Sequence, residues 1–156
     1  MNSFLEYLSD GLDMNLIVAV DFTSSNGDPV RPDSLHFRSP NALNPYQLAI
    51  RSVGDILLEY DTDKRVPVYG FGAKFRDGSV SHCFSLNGQQ NNPEVYGVEG
   101  ILEIYNYALS NITLWGPTNF TPVSLLFPYF FSFFFFFFFL FCKKTLTSLL
   151  TDFEDH

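Results

Sequence analysis

The residues best placed for chemistry are Asp21, Thr23 and Ser25, in the run "VAVDFTSSN" at 18–26. The unbroken apolar stretch Leu16 to Val20 stops at a carboxylate, and hydroxyls follow at once. An Asp-x-Thr-x-Ser spacing puts three hard oxygen donors on one tight loop, and such oxygens suit Mg²⁺, Mn²⁺ or Ca²⁺. One loop cannot fill an octahedron, so distant loops must add oxygens. Thr118, in "GPTNFTP", is the obvious second contributor, because Gly116 and Pro117 fix a bend that can present its hydroxyl. The same residue types are also common capping and turn residues, so spacing alone leaves a metal loop and an ordinary polar turn both open.

Two enzyme templates fail on inspection. A phosphotransferase nucleophile loop would want a second Asp where Thr23 stands. The segment "GFGAKF", Gly70 to Phe75, lacks the third Gly of a dinucleotide loop and the Gly-Lys-Ser/Thr of a phosphate loop. Neither template fits, and no catalytic or organic-cofactor residue is assigned.

The elements that must position these donors follow from the apolar periodicity. Leu16 to Val20, rich in Val and Ile, reads as a parallel strand covered on both faces. "NPYQLAIRSVGDILLEY", Asn44 to Tyr60, reads as a helix with Asn44 as cap, Pro45 in the first turn, and Ala49, Val53, Ile56, Leu57 and Tyr60 on one face. "VPVYGFG", Val66 to Gly72, is a short strand. "VSHCFSL" alternates as a single half-exposed strand should. A second helix is expected to start at Asn92-Pro93 and run through "EVYGVEGILEIYNYAL", and "NITLWGPTNFTP" is a short extended piece ending in a Gly-Pro turn. Strand, helix, strand, strand, helix, loop is the first half of an α/β sheet domain. In an open parallel sheet ligands sit at the carboxyl ends of the strands where the strand order reverses, and Asp21 falls there if Leu16 to Val20 is the central strand.

Composition divides the chain of 156 residues into unlike parts. Residues 1–120 carry 14 acidic and 7 basic residues, and 11 of the 19 Phe then fall between Phe127 and Phe141. The acidic balance and the absence of a Lys/Arg cluster argue against nucleic acid. Two cysteines make no disulfide framework, and no secretory signal is read after Met1, so an intracellular setting is expected and the sequons at Asn111 and Asn119 should stay unmodified. The expected layout is a domain portion at 1–124, a Phe-rich tract at 125–142 and a polar tail at 143–156. A homopyrimidine stretch of the kind found in introns translates to poly-Phe, and Val123-Ser124 is what an in-frame GTAAGT donor encodes, so intron read-through is the first reading of the tract. A membrane helix is the second, since the run approaches the length of about 20 apolar residues that a span needs. Seven consecutive Phe also carry an aggregation hazard. Were later strands missing, Leu16 to Val20 would expose a hydrophobic edge.

Other candidates read more plainly. His82 and Cys83 are adjacent strand residues that point to opposite faces and make no zinc pair. Asp61 to Lys64, "DTDK", lacks the spacing of a calcium-binding hand and reads as a polar turn. Trp115, beside the site loop, reads as core packing first, with contact to a partner as the alternative.

The blocks "AVDFTSSNGDP", "DSLHF", "EYDTDKRVPVYGFGAKF", "VSHCFSLNG", "GVEGILEIY" and "LWGPTNFTPV" resemble the von Willebrand factor A-type domain of copines, from about Ser3 to Val123. "VSHCFSLNG" is nearest in wording to the plant Bonzai-type members. The resemblance implies an incomplete von Willebrand A-type, Rossmann-like sheet with flanking helices, and a metal-ion-dependent adhesion site. In that site the Asp-x-Ser/Thr-x-Ser loop and a Thr from a second loop hold a divalent cation, matched here by Asp21, Thr23, Ser25 and Thr118. A third-loop Asp of the family pattern has no counterpart. The implied cation is Mg²⁺ first, with Mn²⁺ or Ca²⁺ as alternatives, and the implied partner is a protein offering an acidic side chain. Copines join this domain to two calcium-binding C2-type domains that dock on phospholipid, so the family is implied to be cytoplasmic and peripheral to the plasma membrane, in trafficking roles. No such domain is read in these 156 residues. A membrane-anchored stub and the A-type part of a RING-type ubiquitin ligase are the alternatives; no Cys/His zinc pattern follows Val123.

Overall fold

The computed structural model describes residues 16–119, 121–125 and 136–140, the last by backbone alone. The expectations for the N-terminus before Leu16, for the rest of the Phe-rich tract and for the polar tail lie outside the described residues. Strand β1 (Leu16–Asp21) is buried along its whole length. It pairs in parallel with β2 (Arg65–Phe71), Val18 opposite Val68 and Asp21 opposite Phe71. Burial on both faces is what a strand without polar alternation requires.

Helix α1 (Pro45–Leu57) begins as the sequence predicts. The Gln47 backbone N–H donates to the Asn44 side-chain oxygen at 2.9 Å, and the Asn44 N–H donates to Gln47 Oε1 at 2.8 Å. This reciprocal box satisfies two of the N–H groups that every helix start leaves open. The "DTDK" turn that leads into β2 is polar as expected. Asp61 Oδ1 accepts from the Lys64 N–H at 3.0 Å, which ties the turn to its own backbone.

The second half departs from the sequence reading at two places. "VSHCFSL" is two strands, not one: β4 (Val80–Ser81) pairs with β3 (Ala73–Phe75), whereas β5 (Phe84–Ser85) pairs antiparallel with β2. Ser81 breaks the run, its hydroxyl donating to the Cys83 carbonyl at 2.8 Å and accepting from the Cys83 N–H at 3.2 Å. A side chain that closes such a local turn competes with the ladder. Likewise Asn92-Pro93 does not open the second helix. Glu94–Tyr96 is strand β6, antiparallel to the start of β2, and helix α2 runs Gly97–Asn111. The edge of β2 offers Glu94–Tyr96 ladder bonds that outweigh a proline-led helix start.

Strand β7 (Ile112–Leu114) pairs with β3, and a short helix α3 (Thr121–Ser124) follows. Residues Phe136–Leu140 form β8, parallel to β1, with Val18 opposite Phe138. Strand order in the larger sheet is therefore β5-β2-β1-β8, and β1 is internal. The backbone of 136–140 is extended and pairs along the outer edge of β1. An open row of strand N–H and C=O groups takes whatever apolar extended segment is tethered nearby, and Phe has high strand propensity. Among the described residues no helix is long and apolar enough to cross a membrane.

Side-chain alternation splits β1 between two cores. Leu16, Val18, Val20 and the following Phe22 pack with Ala49, Ile50, Ile101, Leu102 and Tyr105 from α1 and α2. Ala19 faces the other way, against Phe71 of β2 and Val123 of α3.

Candidate metal centre

The loop after β1 carries the Asp21, Thr23 and Ser25 oxygens, and 95 residues of chain separate Thr23 from Thr118. The fold closes that distance. Thr118 Oγ1 donates to Thr23 Oγ1 at 3.1 Å, and Thr23 Oγ1 lies 3.0 Å from Ser25 Oγ. Asp21 is completely buried and its Oδ1 accepts from the Thr23 N–H at 2.8 Å, so the carboxylate is fixed at the mouth of the strand. All four residues singled out in the sequence thus meet around Thr23.

Two other segments press the loop into place. Gly72, between β2 and β3, has φ +72°, and a Cβ there would stand 2.3 Å from Thr23 Cγ2. Only glycine tolerates both the left-handed backbone and that approach. On the opposite flank a Cβ at Gly116 would meet Ser24 Oγ at 2.8 Å. The Trp115 N–H bridges the two sides, donating to the Gly72 carbonyl at 2.9 Å and the Phe22 carbonyl at 3.2 Å. Trp115 is not core packing as expected from the sequence: it is 42% exposed, with the Lys74 ammonium 4.6 Å from its ring centroid.

Beneath the loop lies a layer that sequence reasoning missed. The Asp21 carbonyl accepts twice, from Asn26 Nδ2 at 3.0 Å and from the His36 Nε2–H at 2.8 Å. With Nε2 donating, His36 Nδ1 accepts from the Tyr105 hydroxyl at 2.8 Å, and that hydroxyl accepts from Asn44 Nδ2 at 3.1 Å. Tyr46 donates to Asn26 Oδ1 at 3.2 Å. The rings of Phe22 and Tyr46 stack on His36, the latter with centroids 4.1 Å apart. The network is directional and demands a neutral imidazole. Burial supplies one, pushing His36 down to about 4 against the opposing bond to the Asp21 carbonyl, and burial also pushes the Tyr105 hydroxyl well up. The Asn44 that caps α1 and the Tyr105 on the core face of α2 therefore both brace the site loop. No local spacing could have exposed this, because His36 and Tyr105 meet only in the fold; an Asn directly after the Asp-x-Thr-x-Ser run was the nearest available signal.

The donor set fits a small hard cation. Adjacent oxygens of an octahedron with bonds of about 2.0–2.1 Å stand about 2.9 Å apart, and the longer bonds of Ca²⁺ would spread them to about 3.3–3.7 Å. The hydroxyl separations of 3.0 and 3.1 Å are those of the hydrogen bonds that hold the three oxygens together, and they place the oxygens close enough to share one ion. Among the described residues no cluster of three or more His, Cys, Asp or Glu is placed to hold a metal.

Comparison with known proteins agrees with this architecture. The Copine family model matches residues 34–125, a span that takes in Thr118 but begins after the Asp21 loop. Two proteins of Arabidopsis thaliana, BONZAI 1 and BONZAI 2, are each 54% identical over 123 residues. The matched stretch is 78% of this chain and 21% of each relative, so the chain spans about a fifth of the length of the proteins it resembles. With more than half of its residues inside the family model, the chain belongs to the copine family.

Proposed function

We propose that this chain is a metal-dependent protein-interaction module in which Asp21, Thr23, Ser25 and Thr118 hold a divalent cation, Mg²⁺ in preference to Mn²⁺ or Ca²⁺, that a carboxylate of a protein partner then ligates. The observation that supports it above all is the 3.1 Å approach of the Thr118 and Thr23 hydroxyls across the fold, with a buried carboxylate at the same loop. Four protein oxygens leave open positions on an octahedral ion. One Asp charge against a doubly charged ion leaves a net positive centre, which favours an anionic ligand over a neutral one. Bridging a carboxylate makes and breaks no covalent bond, so the reading is of binding and not catalysis. As part of a longer copine, such a module would act in the cytoplasm and at the plasma membrane, where calcium-dependent phospholipid binding by other domains would bring it and its partner to trafficking membranes.

Calorimetric titration with MgCl₂ tests the reading. One weak site is expected, on the order of millimolar for a site with a single carboxylate, and it should vanish in Asp21→Asn and weaken in Thr118→Val. Heat of binding unchanged in both variants would overturn it.

A further inference from the structure

The chain that carries the proposed cation is acidic as a whole. Its formal net charge is −8, and a field of that sign disfavours an acidic partner segment everywhere except close to a local positive charge. Ion pairs among the described residues join Arg31 to Asp33 and Arg51 to Glu99. Lys74 joins neither. Its ammonium rests against the face of the half-exposed Trp115, and a cation held over an aromatic ring keeps its charge while losing conformational freedom. The backbone beside this pair adjoins the site loop, the Trp115 N–H donating to the Phe22 carbonyl at 3.2 Å. Gly72, two residues before Lys74, packs on Thr23, and Gly116, next to Trp115, packs on Ser24.

Resting on the metal-bridge reading, we propose that Lys74 and Trp115 form a second anchor for the same partner, so that the segment recognised is a protein stretch with two nearby acidic side chains. One carboxylate completes the cation; the other pairs with the Lys74 ammonium, and the exposed part of the indole covers the aliphatic stem of that acidic residue. The ring holds the ammonium in place before the partner arrives, which lowers the ordering cost of the pair. A surface ion pair in solvent contributes modestly, so the anchor sets which acidic segments bind more than it sets overall affinity.

Trp115 is the single tryptophan of the chain, and its emission therefore reports on this spot alone. The full chain, in buffer with saturating MgCl₂, is titrated with short Gly/Ser peptides carrying one Asp, or two Asp at successively greater spacings. At the best spacing the second Asp is expected to tighten binding about two- to five-fold and to shift Trp115 emission. Lys74→Met should abolish that gain, Lys74→Glu should reverse it, and Lys74→Arg should retain it, with circular dichroism of all three matching the parent. If the one-Asp peptide binds in a Mg²⁺-dependent way and the second Asp adds nothing, or adds as much in Lys74→Met, the anchor is wrong and the metal bridge stands. If neither peptide binds with Mg²⁺, the metal bridge fails and takes the anchor with it.

Discussion

Thr23 is where separate parts of the chain meet: its N–H holds Asp21, its hydroxyl touches Ser25 and Thr118, and its methyl packs on Gly72. The backbone under it depends on His36 being neutral. In the folded chain burial holds this imidazole down to about 4, against 6.5 when unfolded. Between those values the unfolded chain binds the extra proton, so stability rises with pH there. The contribution is whole above about pH 6.5, declines by about 1.4 kcal/mol per unit of acidification, and is gone near pH 4, roughly 3 kcal/mol in all. Urea midpoints measured at pH 7 and pH 5 should differ accordingly. In His36→Gln, less stable at pH 7, the part of the slope that belongs to this residue should disappear; an unchanged slope would remove His36 from the account.

At the scale of elements, the junction of β2 and β3 matters more than either strand. Gly72 lies there, and alanine at that position would need a left-handed backbone and would overlap Thr23. Gly72→Ala should cost on the order of 1–3 kcal/mol and weaken Mg²⁺ binding, read by thermal melting and calorimetry on the same sample. Stability lost with Mg²⁺ affinity intact would show that the loop tolerates displacement. Strand β1, the cap of α1 and the gathering of Asp21, Thr23 and Ser25 on one loop were legible in the sequence because each rests on local chemistry: an apolar run, an Asn-Pro pair, a spacing of alternate residues. The split of "VSHCFSL" and the late start of α2 were not, because both depend on which strand edge is free to pair, a property of the sheet. The brace of His36, Tyr105 and Asn44 was hidden for the same reason.

For the whole molecule the decisive contact is the pairing of β8 with β1. It covers the outer edge of the strand that carries Asp21, with five residue pairs in register from Leu16–Phe136 to Val20–Leu140. The sequence of this tract is nothing like a designed strand, having no alternation and a single residue type through most of its length. Its backbone can nevertheless offer the N–H and C=O groups that β1 needs, and backbone pairing is indifferent to side-chain variety. Removing residues 126–156 should therefore return β1 to an open hydrophobic edge in mid-sheet, a template for pairing with other chains. The shortened chain is expected to pellet on expression, or to melt over a broad range without a cooperative transition. A soluble 1–125 fragment with a sharp melt at the temperature of the intact chain would mean that β8 contributes nothing and that β1 is protected by other means. The same fragment bears on the metal centre, because Asp21 lies at the end of the strand whose edge is stripped; if it folds, its Mg²⁺ affinity relative to the intact chain separates support of the loop from below, by His36 and Asn26, from support at the side, by β8.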